Sequence, residues 1–320
     1  MFLITRIASL LVLVLLLMMS GCSSYFGSSS SHDTDEETDD NGDGDSGGGG
    51  DEDEDEDGDD DDPDEQYTGT GFPLVNDFAE PGPFATVSDI EGPDCEIFKP
   101  HTLGENDLEH PVLVWGNGTF TGPGSYAAFL SHWASHGFVV AAARTSNAGS
   151  GDEMLACLDY LEEQHLMVAG IYAGNLDLDR IAATGYSQGG GGAIMAAQDS
   201  RIIATVPIMP FITGFGHDND SQSNQHGPMF MTSGENDTWA PPGTNQQPVF
   251  DNANVPVFWG TLLNTDHFEP LGDGGDFRGP STAWLRFHLM DDDTAQDYFY
   301  GDDCELCTDP DWTVQRKDIE

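Results

Sequence analysis

Arg180-Ile-Ala-Ala-Thr-Gly-Tyr-Ser-Gln-Gly-Gly-Gly-Gly-Ala-Ile-Met-Ala-Ala-Gln198 contains a short apolar run, a Gly-x-Ser-x-Gly pentapeptide at 185–189 and a glycine-rich stretch. The run at 180–184 reads as a buried strand and 189–198 as a helix, so the pentapeptide falls on a strand-to-helix turn. Such a turn exposes the serine hydroxyl and tolerates only small flanking residues. The helix N-terminus behind it favours developing negative charge. Ser187 is the candidate nucleophile.

Outward from this point, apolar runs at 111–115, 137–143, 202–209, 228–232 and 255–262 read as further strands. Helical spacing is expected over 126–135, 152–165 and 282–290, the second with acids in its first turn. Strands alternating with helices predict an α/β protein with a mostly parallel central sheet flanked by helices. No internal repeat is present. The segment 210–227 is too short for a cap domain, so an open site is expected.

A serine hydroxyl needs a base, and the base needs a carboxylate that fixes its tautomer. His267, just past the run at 255–262, has the right place in chain order; the other histidines do not. Asp237, in Gly234-Glu-Asn-Asp-Thr-Trp-Ala-Pro241, is the preferred carboxylate, with Glu235 and the adjacent Asp266 as rivals. The order Ser187, Asp237, His267 is that of the α/β-hydrolase fold. Two backbone N–H groups should hold an oxyanion. One is expected from Gln188; the other comes from Gly116-Asn-Gly-Thr-Phe120, with Thr119 preferred and Phe120 the alternative. Tyr186, Phe211 and Trp239 are candidates for an aromatic substrate cleft. The chemistry requires no metal and no organic cofactor.

Gly185-Tyr-Ser-Gln-Gly-Gly-Gly-Gly192, Glu235-Asn-Asp-Thr-Trp-Ala-Pro241 and Ser135-His-Gly-Phe-Val-Val140 resemble the cutinase-like polyester hydrolases and their dienelactone-hydrolase-like relatives. The likeness runs from about Pro111 to Met290. It implies the α/β-hydrolase fold, triad roles for Ser187, Asp237 and His267, an oxyanion role for Thr119, and a polyester or cutin-like substrate. The chain departs from the group at Gln188, where Met is usual, at Tyr186, where Trp or His is usual, and at Phe211, where a clamping Trp is usual. Trp115-Gly-Asn-Gly-Thr119 also differs from the group's Pro-Gly-Tyr. A polysaccharide acetyl or feruloyl esterase is the alternative enzyme. A non-catalytic surface binding protein on a hydrolase fold, or an envelope anchoring protein working through its tether, is the alternative from another class.

The remaining sequence concerns location. Arg6, the apolar run Leu10–Met19 and Met19-Ser-Gly-Cys22 read as a signal peptide over 1–21 with a bacterial lipobox, which implies a lipid on Cys22. Ser23 after the cysteine points to the outer membrane. Residues 22–65 form an acidic Ser/Gly/Asp tether expected to be disordered, and 66–320 the catalytic domain. From Gln66 onward 37 acidic residues face eight basic ones, which excludes nucleic acid as a partner. The expected partners are an ester substrate and a membrane, the latter through the lipid. The expected state is a monomer in the cell envelope or outside the cell. Cys304 and Cys307 are close enough to close a small disulfide loop, whereas Cys157, in an apolar helical stretch, reads as a buried free thiol.

Overall fold

Nine strands form one sheet among residues 66–320, the part of the chain that the computed structural model describes. The expected signal peptide, Cys22 and the segment expected to form an acidic tether lie outside the described residues. The strands are β1 (Thr86–Glu91), β2 (Cys95–Pro100), β3 (His110–Gly116), β4 (Val139–Ala143), β5 (Leu176–Tyr186), β6 (Ile202–Ile208), β7 (Met229–Gly234), β8 (Val257–Leu262) and β9 (Trp312–Lys317). They lie in the order β1-β2-β4-β3-β5-β6-β7-β8-β9. The six from β4 to β8 run parallel, while β1, β2 and β9 are antiparallel additions at the two edges. The helices are α1 (Ala127–Ser135), α2 (Asp152–His165), α3 (Gln188–Ala196), α4 (Pro242–Asn252), α5 (Arg278–Met290) and the single turn α6 (Glu305–Thr308).

Alternation along the central strands divides the core. Leu113 and Trp115 of β3 pack into a layer with Phe129, Leu130 and Trp133 of α1 and Trp284 and Leu285 of α5. Val112 and Val114 pack into the opposite layer with Leu158 and Leu161 of α2 and Ala193 and Ala196 of α3. Both faces of the sheet are therefore buried, which is why its strands read as unbroken apolar runs rather than as alternating ones. This is the α/β-hydrolase architecture. Between β6 and β7 the chain has one short 3-10 helix, Asn219–Ser223, and no cap.

The outermost strands leave no apolar run in the sequence. β1, Thr86-Val-Ser-Asp-Ile-Glu91, has no buried residue, and β9 buries only Trp312. Their strand character comes from pairing with β2 and β8. α4 carries no clear helical signal because prolines occupy 242 and 248; the first sits at the helix start, where its missing N–H costs nothing.

Cys157 is not a free thiol. It is bonded to Cys95, the first residue of β2, across the layer between α2 and the sheet. Burial identified Cys157 as an interior residue, but its partner lies 62 positions away and the spacing gave no hint of it. Cys304 and Cys307 are joined at α6. Residues 68–73 are fastened to the end of α5. The Gly69 and Thr70 N–H groups donate to the Asp291 and Met290 carbonyls, and Arg286 donates to the Pro73 carbonyl at 2.8 Å. Arg286 and Asp292 form an ion pair at 2.6 Å with both side chains fully buried.

Removing the 95–157 crosslink with Cys95→Ala and Cys157→Ala is expected to lower the unfolding free energy by about 4 kcal/mol, from the loop-entropy relation at this separation. Urea denaturation of the double variant measures this, and an unchanged midpoint would refute it. Acid should weaken the fold independently. Burial lowers His132 to about 4; burial and the neighbouring His132 and Arg286 charges lower His136 to about 3. The unfolded chain takes up these protons first, near pH 6.5. The stabilisation is thus complete above that pH and lost as pH falls toward 4, by roughly 3 kcal/mol for each ring. Melting temperature measured from pH 7 to 4 should drop steeply, and His136→Phe should flatten the curve.

Candidate active site

β5 ends at Tyr186, α3 begins at Gln188, and Ser187 between them has φ 55 and ψ −119. A non-glycine residue holds such a backbone only where its surroundings enforce it. Here the Ser187 N–H donates to the Ile208 carbonyl at 2.9 Å. The Ser187 carbonyl accepts from Phe211 at 2.8 Å and Gly191 at 3.1 Å. The flanking glycines are required by close approach. A Cβ on Gly185 would strike the Gly189 carbonyl, and one on Gly189 would strike the Gly116 carbonyl. Ser187 and His267 are both more than nine-tenths buried, so little of either side chain meets solvent.

The structure brings together the three residues selected by chain order. The His267 Nε2 lies 2.9 Å from the Ser187 Oγ, and its Nδ1 lies 2.6 Å from the Asp237 Oδ2. The second Asp237 oxygen accepts from the Trp239 and Ala240 N–H groups, each at 2.8 Å. A carboxylate acceptor at Nδ1 assigns the proton there and leaves Nε2 to accept from the serine. The rivals serve elsewhere. Glu235 accepts from the Asn264 N–H at 3.0 Å and Asp266 from the Phe268 N–H at 2.8 Å, so both brace the histidine loop.

The loop after β3 is fixed by Asn117. Its Oδ1 accepts from the Trp115 indole at 3.0 Å, and its Nδ2 donates to the Ala143 and Thr145 carbonyls. The Phe120 N–H donates to the Ser146 carbonyl at 3.4 Å, whereas among the described residues the Thr119 and Gln188 N–H groups have no acceptor. Gln188 sits at the first position of α3, where no intrahelical acceptor exists. Its side chain points away from the serine and bridges Asn147 and Ala148.

Residues 105–316 match the family described as PET hydrolase-like. The chain belongs to that family. Like its members, it is a carboxylic-ester hydrolase. It is 26% identical to the bis(hydroxyethyl) terephthalate hydrolase of Streptomyces coelicolor, over 72% of this chain and 80% of that protein. It is 28% identical to cutinase est1 of Thermobifida alba, over 60% of this chain and 62% of that protein. Cutinase 2 of Thermobifida cellulosilytica is also 28% identical, over 60% of this chain and 71% of its own length.

Tyr186, Phe211 and Trp239 are the candidates for an aromatic substrate cleft, and of the three Tyr186 is buried. Tyr186 is 4% exposed, with its ring 5.1 Å from the His267 ring and its hydroxyl donating to the His267 carbonyl. Burial pushes the phenol up, so it stays protonated as a donor. The residue before the nucleophile closes β5 and faces inward into the α1 layer, against Tyr126 at 5.6 Å. Trp239 is 43% exposed and meets the edge of Phe268 at 5.8 Å; Phe211 is half-buried and meets Phe215 at 6.1 Å. Phe268 and Phe215 belong to no sequence motif, although Phe268 directly follows the candidate base.

Tyr186 is thus a positioning residue for His267. Tyr186→Phe keeps the ring and strands a buried carbonyl, which costs about 1–3 kcal/mol of stability. Turnover of a soluble ester should fall about tenfold through kcat with KM unchanged, since small misplacements of reacting groups are costly. Steady-state kinetics and melting of this variant check both, and full activity would show that the hydroxyl does not hold the base.

Proposed function

We propose that the protein hydrolyses esters through a Ser187 acyl-enzyme and acts outside the cytoplasm on polyester or cutin-like substrates. The observation carrying this reading is the hydrogen-bonded series from Ser187 Oγ through the two His267 nitrogens to Asp237, at 2.9 and 2.6 Å. His267 takes the serine proton as Ser187 attacks the ester carbonyl. The Thr119 and Gln188 N–H groups receive the developing oxyanion. The alcohol departs with the proton from His267, and water activated by the same ring then hydrolyses the acyl-enzyme. Aspartate supports the imidazolium without taking its proton.

The substrate class is supported by the relatives, which are named bis(hydroxyethyl) terephthalate hydrolase and cutinase. It is also supported by the exposed rings of Trp239 and Phe268 beside the base, which offer flat apolar contacts to an aromatic or long-chain acyl group. Export and a lipid on Cys22 are supported by the apolar run at 10–19 and Met19-Ser-Gly-Cys22. Among the described residues no helix is long and apolar enough to cross a membrane.

A fluorophosphonate probe should label the wild type and not Ser187→Ala, with p-nitrophenyl ester turnover falling about 10⁶-fold in the variant. Labelling that survives the substitution would overturn the mechanism. Release of soluble products from polyester film, set against acetate release from acetylated xylan, decides the substrate class.

A further inference from the structure

The segment after α2 has a composition at odds with the rest of the surface. Leu166-Met-Val-Ala-Gly-Ile171 holds no charged or polar side chain, in a domain with 37 acids. Leu166, Met167, Val168 and Ile171 are 79, 54, 105 and 57% exposed. The loop is nevertheless well fastened. Tyr172 is buried and donates to Glu91 at 2.8 Å, and the Asn175 side-chain amide donates to the Ile171 carbonyl at 2.9 Å. The Gly174 N–H donates to the His165 carbonyl. A fixed, protruding tip of four apolar side chains that none of the described residues covers differs from scattered surface apolar residues and marks a contact site.

The position of this tip in the fold indicates what it contacts. The loop feeds the amino-terminal end of β5, whereas Ser187 follows its carboxyl-terminal end. The chain enters the described domain on the loop's side. Gly71 lies against Leu108, and the His110 N–H at the start of β3 donates to the Asn175 carbonyl at the loop's end. Phe72 packs edge-on against the same His110. The point where the tether joins and the apolar tip therefore share one pole, opposite the site. Forty-four residues, 22–65, separate Cys22 from the described domain, and a chain of that length can reach up to about 145 Å, too far to set the domain's orientation by itself. With a lipid on Cys22, as proposed above, that length would hold the domain near its anchor, where even a weak contact is occupied because the effective concentration is high.

We infer that residues 166–171 dock on the lipid surface to which the chain is anchored, so that Ser187 faces away from it. This rests on the proposed lipid at Cys22. A convex apolar tip suits the headgroup–acyl boundary, which needs no complementary groove. The acidic remainder of the domain is repelled by anionic headgroups, so the favoured surface is zwitterionic.

The test uses the full mature chain with Cys22→Ser and a hexahistidine at its start, held on phosphatidylcholine vesicles by a nickel-chelating lipid. Tethering then does not depend on native lipidation. An environment-sensitive fluorophore is placed at Ala169→Cys or, as the opposite-pole control, at Thr213→Cys, and doxyl-labelled phosphatidylcholine is the quencher. Quenching at 169 several-fold above that at 213 is expected. Leu166→Glu with Val168→Glu should reduce it to the control value, with melting temperature and soluble-ester turnover unchanged; Leu166→Gln with Val168→Gln serves if the charged pair fails to fold. Equal quenching at the two positions, quenching that survives the substitutions, or a concentration-dependent dimer without lipid that the substitutions abolish would each overturn the inference. Mass spectrometry of the native chain judges the Cys22 lipid separately: an unmodified Cys22 removes the anchor reading whatever the probe shows.

Discussion

The glycines at 189, 191 and 192 bring α3 so close to its neighbours that none of the three has room for a Cβ, and the geometry of the site depends on that closeness. A Cβ on Gly189 would strike the Gly116 carbonyl, one on Gly191 the Phe211 carbonyl, and one on Gly192 the Ala148 carbonyl. Three loops, after β3, β4 and β6, are thereby set in register against a single helix. These loops carry the Thr119 N–H, the partners of Gln188, and Phe211. Glycines in a helix interior cost about 1 kcal/mol each relative to alanine. The turn is held despite that cost because it is buried on all sides and the backbone groups of Ser187 are bonded to Ile208, Gly191 and Phe211.

Chain order and composition were enough to group Ser187, Asp237 and His267 and to find the doubly buried strands, because burial on both faces writes a strong apolar signal into the sequence. Edge strands leave no such signal. β1 and β9 are polar segments whose conformation is imposed by the strand beside them. The 95–157 disulfide depends on how α2 crosses the sheet, a tertiary fact with no local trace. Tyr186 shows a subtler failure. The pentapeptide reveals that a residue precedes the nucleophile but not which face of β5 it occupies, and that face decides between lining the cleft and supporting the base from beneath.

The acidic surplus also becomes easier to interpret once the partners of the eight bases are known. Lys99, Arg144, Arg180, Arg201, Arg278 and Arg286 all contact carboxylates, and Arg201 alone meets three. Arg316 and Lys317 bond to backbone carbonyls. The bases are thus committed within the domain, several of them as stitches between distant segments. The remaining acids form a negative exterior, interrupted on the pole opposite Ser187 by the neutral apolar loop.

The fastening of residues 68–73 to the end of α5 also has a mechanical meaning. Any tension transmitted along the chain from before Gln66 meets the bonds of Gly69 and Thr70 to Asp291 and Met290, and then the Arg286 grip on Pro73. Behind that grip stands an ion pair with no solvent access. The strain is thus absorbed in the helix at the far end of the sheet. The reactive groups sit at the other end of the strands, insulated from any pull on the chain at Gln66.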